Sequence, residues 1–217
     1  MGRSKGQKLI RKPINGQLIG YTYRLFPDVQ QVILLNKNIG HTRFVYNWGL
    51  ETKQEYYNTQ HKSLSRLDLQ AGLIELKEKN EFLKEANSQT LQCALLNLDK
   101  AYTNFFKKRS KFPKRKKRGK NDSCYYPSGV VVDQEIGRIG LPKFHNSIKY
   151  DNHRQFDGTV KSATITRSAS GKYFISLLVD AKKKEILPET GNSIGLDFGL
   201  ISFIATSDGD KIESPKF

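Results

Sequence analysis

Asp197 is the residue whose type and setting most directly promise chemistry. It stands alone among apolar neighbours in Ile194-Gly195-Leu196-Asp197-Phe198-Gly199-Leu200. That run reads as a strand, followed by a second at Ser202 to Thr206 and a turn at Ser207-Asp208-Gly209. An acid inside a buried strand needs a partner, because an unpaired buried carboxylate costs several kcal/mol. A divalent cation is one solution: carboxylates around two Mg²⁺ or Mn²⁺ ions ~3.5–4 Å apart support in-line phosphoryl displacement. Taken alone, the GLDFG pattern fits a turn or capping acid equally well. With a hairpin turn near Leu200-Ile201, Asp208 falls in the next turn, roughly 13 Å along the strands from Asp197. Asp210 lies just beyond it, and nothing in the spacing of Glu213 brings that residue back to Asp197.

The second chemical signal is electrostatic. Residues 107–120 read KKRSKFPKRKKRGK, ten basic residues in fourteen with no acid. A solvated face is the plain alternative, but cations this dense repel one another unless an anion neutralises them. Lys107, Lys108, Arg109, Lys111, Lys114, Arg115, Lys116, Lys117 and Arg118 are the candidate phosphate contacts, and Phe112 offers a ring for stacking. The whole chain agrees, with a net charge of +16 from 37 Lys+Arg against 21 Asp+Glu in 217 residues. A polyanion is the expected partner. No apolar run of ~18 residues supports a membrane role. Cys93 and Cys124 stand far apart without a CxxC partner, so a zinc ribbon and an internal disulfide framework are both excluded. Two free thiols in a reducing cytosol are expected. The N-terminal segment carries Arg3, Lys5, Lys8, Arg11 and Lys12 but no apolar stretch of a secretory signal.

Those groups need positioning. The chain turns strand-like from Leu18 to Phe26, and Pro27-Asp28 ends that strand and opens a helix. Val32, Leu35 and Ile39 recur at helical spacing, Gly40 interrupts, and Phe44, Trp48 and Leu50 continue an apolar stripe in a second helical stretch. Ser65 can cap a helix carrying Leu69, Leu73 and Leu76 on one face. Asn87 starts the clearest helix, with Leu91, Leu95, Leu98, Tyr102 and Phe105 in line, and Phe112-Pro113 stops it. Short strands follow at Val130 to Asp133, Arg138 to Phe144, Thr159 to Arg167 and Lys172 to Val179, the last two joined as a hairpin at Ala169-Ser170-Gly171. Ala163, Ile165 and Arg167 share one face of their strand, and Tyr173, Ile175, Leu177 and Val179 share one face of the partner.

The fold class is therefore α+β: an antiparallel β-barrel interrupted by a helical lobe, then the first strands of another domain. The expected divisions are an opening barrel segment at 1–27, a helical lobe at 28–108, a basic linker at 109–121, the remaining barrel strands at 122–181, a linker at 182–192 and the start of a further domain at 193–217.

Several segments, in order along the chain, carry a family resemblance: Tyr23-Arg24-Leu25-Phe26-Pro27, Arg43-Phe44-Val45-Tyr46-Asn47-Trp48, Ser88-Gln89-Thr90-Leu91-Gln92, Leu98-Asp99-Lys100-Ala101-Tyr102-Thr103-Asn104-Phe105-Phe106, Lys111-Phe112-Pro113-Lys114, Leu141-Pro142-Lys143, Ser170-Gly171-Lys172-Tyr173-Phe174 and Gly195-Leu196-Asp197-Phe198-Gly199-Leu200. Together they resemble TnpB, the OrfB-type protein of insertion-sequence transposons and a relative of type V CRISPR effectors. The resemblance implies a wedge β-barrel with an inserted recognition lobe, followed by a RuvC-like, RNase H-type nuclease domain. It further implies RNA-guided DNA cleavage, in which base pairing reads sequence and protein reads backbone shape and a short flanking motif. Guide RNA and target DNA are the implied partners, in a prokaryotic cytoplasm and associated with the nucleoid.

By position, Asp197 matches the first RuvC metal ligand. Ser88 and Gln92 match positions that resemble the reader of the target-adjacent motif, where Gln can bond an adenine edge; helix capping and solvation are their alternative. Arg43, Tyr46 and Asn47 match a recognition-lobe signature whose role is either internal packing and hydrogen bonding or nucleic-acid contact. A complete family member adds a second RuvC glutamate, a zinc ribbon and a third acid. The chain is thus expected to be an N-terminal portion, truncated within the RuvC domain. It would bind nucleic acid, hold no Mg²⁺ tightly, and cleave only with a separately encoded C-terminal RuvC portion, if one exists. The alternative is a nuclease-inactive RNA-guided or RNA-binding regulator, acting on transcription or on its own guide RNA; a decayed remnant without selected activity is the third.

Overall fold

Strict alternation builds the first strand: in β1 (Gln17–Phe26), Tyr21, Tyr23 and Leu25 are buried while Thr22 and Arg24 between them are exposed. The computed structural model describes residues 16–181, 191, 193–199 and 202–214. The N-terminal cations Arg3 to Lys12 and most of the expected linker at 182–192 lie outside the described residues. The chain divides into two compact units, Met1–Lys182 and Lys183–Phe217.

In the first unit β1 pairs antiparallel with β7 (Tyr173–Ala181), setting Tyr21 opposite Leu177, Tyr23 opposite Ile175 and Leu25 opposite Tyr173. Across its other edge it meets β5 (Ile148–Tyr150), with Leu25 opposite Tyr150. Adding β2 (Ser123–Tyr126), β3 (Val131–Asp133), β4 (Arg138–Gly140) and β6 (Gly158–Arg167) gives a seven-stranded sheet in the order β2-β6-β7-β1-β5-β4-β3. The predicted hairpin is present: Ala163 faces Leu177 and Ile165 faces Ile175 across β6 and β7. Gly171 takes the left-handed φ of 79° that the turn requires.

The sheet curls without closing, and β2 and β3 remain its edges, so the expected barrel is a half-barrel. Two of its strands, β2 and β5, are not foreseen from the sequence. Each is only three or four residues long, too short for alternation to show.

Three α-helices and a short 3-10 turn (Glu81–Glu85) fall between β1 and β2 in chain order. The first, α1 (Val29–Gln60), is capped by a reciprocal box in which the Gln31 backbone N–H donates to Asp28 Oδ1 at 2.8 Å and the Asp28 N–H donates to Gln31 Oε1 at 3.0 Å. It runs unbroken for 32 residues through Gly40, where two helical stretches were expected. The buried stripe passes Gly40 by through polar and small residues: Leu35, Ile39, Thr42, Tyr46, Gly49 and Lys53 follow at steps of four, three, four, three and four. Thr42 hides in that stripe because its hydroxyl donates to the Asn38 carbonyl at 2.8 Å. Phe44, expected in the core, is 38% exposed and packs edge-on against Phe82.

Leu35 and Ile39 join the sheet core, whereas Val45, Tyr46 and Leu50 join a second, helical core. That core holds Leu69, Leu73 and Leu76 of α2 (Arg66–Lys79), capped by Ser65 as expected. It also holds Leu91, Leu95, Leu98 and Tyr102 of α3 (Ser88–Phe106), capped by Asn87. One helix about 48 Å long therefore belongs to both cores. Helix α3 ends at Phe106, before Phe112-Pro113. Lys108 adopts a left-handed φ of 56°, and the Arg109 and Lys108 N–H groups fold back onto the carbonyls of Asn104 and Phe105 at 2.8 and 2.9 Å. A Schellman-type cap, rather than proline, terminates the helix.

In the second unit β8 (Leu196–Asp197), β9 (Ser202–Thr206) and β10 (Lys211–Glu213) form a three-stranded sheet with β9 in the middle. Leu196 pairs with Thr206 and Asp197 with Ala205.

Candidate nucleic-acid interface

The basic run is tied down at one side chain in particular. Asn47, on α1, donates from Nδ2 to the Lys116 carbonyl at 3.0 Å and accepts the Lys116 N–H at Oδ1 at 2.8 Å. Both ends of one amide thus clamp one residue of an otherwise irregular segment, imitating a strand pair. Tyr46, one position earlier and buried, carries the Lys116 ammonium 4.7 Å from its ring centroid. Burial depresses the Lys116 amine below its usual range. One helical step earlier, Arg43 pairs with Asp122 Oδ1 at 3.1 Å.

Asp122, nearly buried, is the second anchor. Its other oxygen accepts the Gly119 N–H at 3.1 Å, and its carbonyl accepts the Arg167 N–H at 2.9 Å, joining the run to the start of β2 and the end of β6. Arg115 adds an exposed ion pair with Glu51 of α1.

The Arg43, Tyr46 and Asn47 signature therefore meets the basic run and its flank: Asn47 and the Tyr46 ring hold Lys116, and Arg43 holds Asp122. With Lys116 turned inward, Lys114, Arg115, Lys117 and Arg118 remain exposed, as do Lys107, Lys108, Arg109 and Lys111 before them. The result is a row of exposed cations on a backbone held at Lys116 and Gly119. Such a row contacts phosphates without reading sequence, and it loses less entropy on binding than a free tail. Phe112 is 40% exposed and stands edge-on to Tyr102 and Phe105.

Ser88 and Gln92 are exposed in the first turns of α3. Ser88 Oγ accepts from Lys77 Nζ at 2.9 Å, and the neighbouring Gln89 accepts from Ser128 Oγ at 2.8 Å. Nineteen residues of helix separate Ser88 from Lys107, about 28 Å, so this pair and the start of the basic run occupy opposite ends of α3.

Asp197 is exposed on β8, which removes the burial expected of it. Asp208 lies in the turn between β9 and β10. Glu213 pairs with Ser202 on the far side of β9, two strand spacings or about 9.5 Å away from β8. Among the described residues no three His, Cys, Asp or Glu gather to hold a metal ion. These described residues do not compose a two-metal centre. Cys93 and Cys124 are free thiols; burial pushes that of Cys124 up to about 12, so it is an inert core group.

Asp122 and Glu51 are the anchors of the basic segment that the sequence alone does not single out. Asp122 did carry a signal: it is the first acid after ten cations, where an internal counter-ion is most needed.

The profile of a helix-turn-helix domain, HTH_OrfB_IS605, matches residues 17–62. In this structure those residues are a strand and one continuous helix, without a turn between two helices. The chain is 37% identical over 199 residues to a protein of Escherichia coli (strain K12) named "Putative RNA-guided DNA endonuclease InsQ", covering 91% of this chain and 49% of that protein. It is 31% identical over 200 residues to a "Putative RNA-guided DNA endonuclease" of Streptomyces pristinaespiralis, covering 90% of this chain and 50% of the relative. Virulence protein VsdF of Salmonella dublin is 35% identical over 108 residues, 44% of this chain and 91% of that protein. The chain spans about half the length of the first two relatives.

Proposed function

Because the chain is a TnpB-like protein, we propose that it carries the nucleic-acid-holding region of an RNA-guided DNA endonuclease. Guide RNA, or its heteroduplex with target DNA, lies along the docked basic segment between α3 and β2. The observation that carries this is the Asn47 clamp with its Arg43–Asp122 neighbour. A basic tail that served only solubility would need no hydrogen bonds holding its backbone in register. Ser88 and Gln92, exposed at the far end of α3, suit contact with duplex beside the target rather than with the guide. Asp197 corresponds to the first RuvC metal ligand, and completing a Mg²⁺ site around it requires acids beyond those described.

A second reading is a nuclease-inactive RNA-guided or RNA-binding regulator, to which the exposed Asp197, with no metal-holding cluster around it among the described residues, would contribute nothing. Both readings require the same RNA-binding surface.

The test is the salt dependence of RNA binding. Replacing Lys114, Arg115 and Lys117 by Gln should weaken binding across sequences and lower the slope of log K against log salt by roughly 2, at about 0.7 per phosphate neutralised on a single strand. An unchanged slope and affinity would remove the basic segment from the interface.

A further inference from the structure

Where α3 meets the C-terminal half of α1, aromatic surface is left that the helical core does not cover. Phe106 is 70% exposed and Tyr57, on α1, 57%. Beneath them Tyr102 lies 6.2 Å from Phe106 with the ring planes inclined by only 26°. Phe112 stands edge-on to Tyr102 at 5.5 Å and 88°, closing one side. These rings line a cavity of about 590 Å³, within the ~300–1,000 Å³ of small-ligand clefts. Phe105 completes the aromatic lining, and the amides of Gln54 and Asn58 and the hydroxyl of Ser63 supply polar groups. Lys53 also lines it, but its ammonium is committed, donating to the Leu64 carbonyl and lying 5.2 Å from the Tyr102 ring centroid.

A ligand suited to this cavity is flat, stacks on a ring face, and carries donors and acceptors along its edge. Directly after Phe106 come Lys107, Lys108 and Arg109, all exposed, so the same ligand carries negative charge on one side. A nucleotide has all of these properties, whereas an apolar peptide side chain would leave the amides and the cations without partners. We propose that this pocket receives an unpaired nucleobase of a bound single strand, stacked against Phe106 and Tyr57 with its phosphates on Lys107, Lys108 and Arg109. The assignment rests on the nucleic-acid-holding function above and adds to it a base-stacking site where α3 runs into the start of the basic run.

The test uses the full chain with single-stranded RNA and, in a parallel arm, single-stranded DNA, each carrying 2-aminopurine among adenines. Stacking predicts quenched 2-aminopurine fluorescence on binding to at least one strand type, and the arm that quenches identifies the strand. Phe106→Leu and Tyr57→Ala should each weaken binding roughly tenfold and relieve the quenching. Phe106→Tyr should restore both, and the salt slope should stay put because no cation is removed. Both substituted residues are exposed, so thermal unfolding of the variants should match that of the parent. Steep, salt-dependent binding in which 2-aminopurine stays bright, or is equally quenched in both variants, overturns the pocket and leaves the basic surface standing. Failure of the unsubstituted chain to bind either strand overturns the function on which it rests, and the pocket with it.

Discussion

Replacing Asn47 by Ala isolates the clamp from the charges it positions. The substitution removes two hydrogen bonds to the backbone of Lys116, at 3.0 and 2.8 Å, and deletes no cation. Each such bond contributes about 0.5–1.5 kcal/mol net, so local docking of the segment loses about 1–3 kcal/mol. Asn47 is only half-buried and water can reach the freed groups, which favours the lower half of that range. Global stability should fall by less than local docking does, since the Arg43–Asp122 pair still holds the far end of the segment.

Two measurements separate this from a general loss of fold. Amide hydrogen exchange at Lys116 should accelerate roughly 5- to 30-fold, matching about 1–2 kcal/mol of easier local opening, while core amides of Leu95 and Ile175 keep their protection. RNA affinity should fall by up to about tenfold through lost preorganisation, with the salt slope unchanged because the same phosphates are neutralised once the segment is bound. Unaltered exchange at Lys116 together with unaltered affinity would refute the clamp. A reduced slope would show that Asn47 acts on the number of phosphates held rather than on their positioning.

Gly40→Ala should stabilise the protein by about 0.5–1 kcal/mol, because an ideal Cβ there meets nothing within 4 Å and α1 is continuous through it; denaturant unfolding showing a loss of stability would mean that the helix breaks there. His41 is nearly buried with Nδ1 lacking a hydrogen-bond partner among the described residues, and burial, the largest influence, depresses its pKa below the usual 6.5. The unfolded chain then binds the proton more readily, so stability is full above about pH 6.5 and falls as acid titrates the imidazole toward its lower folded value. His41→Gln should flatten unfolding free energy against pH between about 7 and 5, and an unchanged profile would contradict that assignment. In Mg²⁺ the 217-residue chain should bind RNA yet leave target DNA uncut, since Asp197, Asp208 and Glu213 do not converge; cleavage that vanishes in Asp197→Ala would contradict this.

The sequence was most legible where one physical pattern dominated. Leu91, Leu95, Leu98 and Tyr102 placed α3, and Asp28, Ser65 and Asn87 placed three helix starts through the oxygen each offers to unpaired N–H groups. Alternation placed β1, β6 and β7. It was misleading at Gly40, where propensity suggests a break but Thr42 and Tyr46 carry the buried stripe onward. It was misleading again at Phe112-Pro113, because a lysine in left-handed conformation had already ended α3.

The candidate interface divides similarly. Charge density exposed the basic run, but its docking depends on Asn47 and Asp122 meeting it across 69 residues and at 3 residues' remove, respectively. No local pattern encodes the first of these. The exposure of Asp197 was equally hidden, since apolar neighbours such as Leu196 and Phe198, themselves 52% and 67% exposed, imitate a buried strand.

The most direct test is to purify the chain with its bound nucleic acid, cross-link by ultraviolet light, and map the linked peptides. Cross-links should concentrate in residues 102–118, on the aromatic end of α3 and the docked cations, and the linked nucleic acid should be RNA. Cross-links confined to the half-barrel strands, or purification free of nucleic acid, would contradict the assignment of this segment as the nucleic-acid-holding surface.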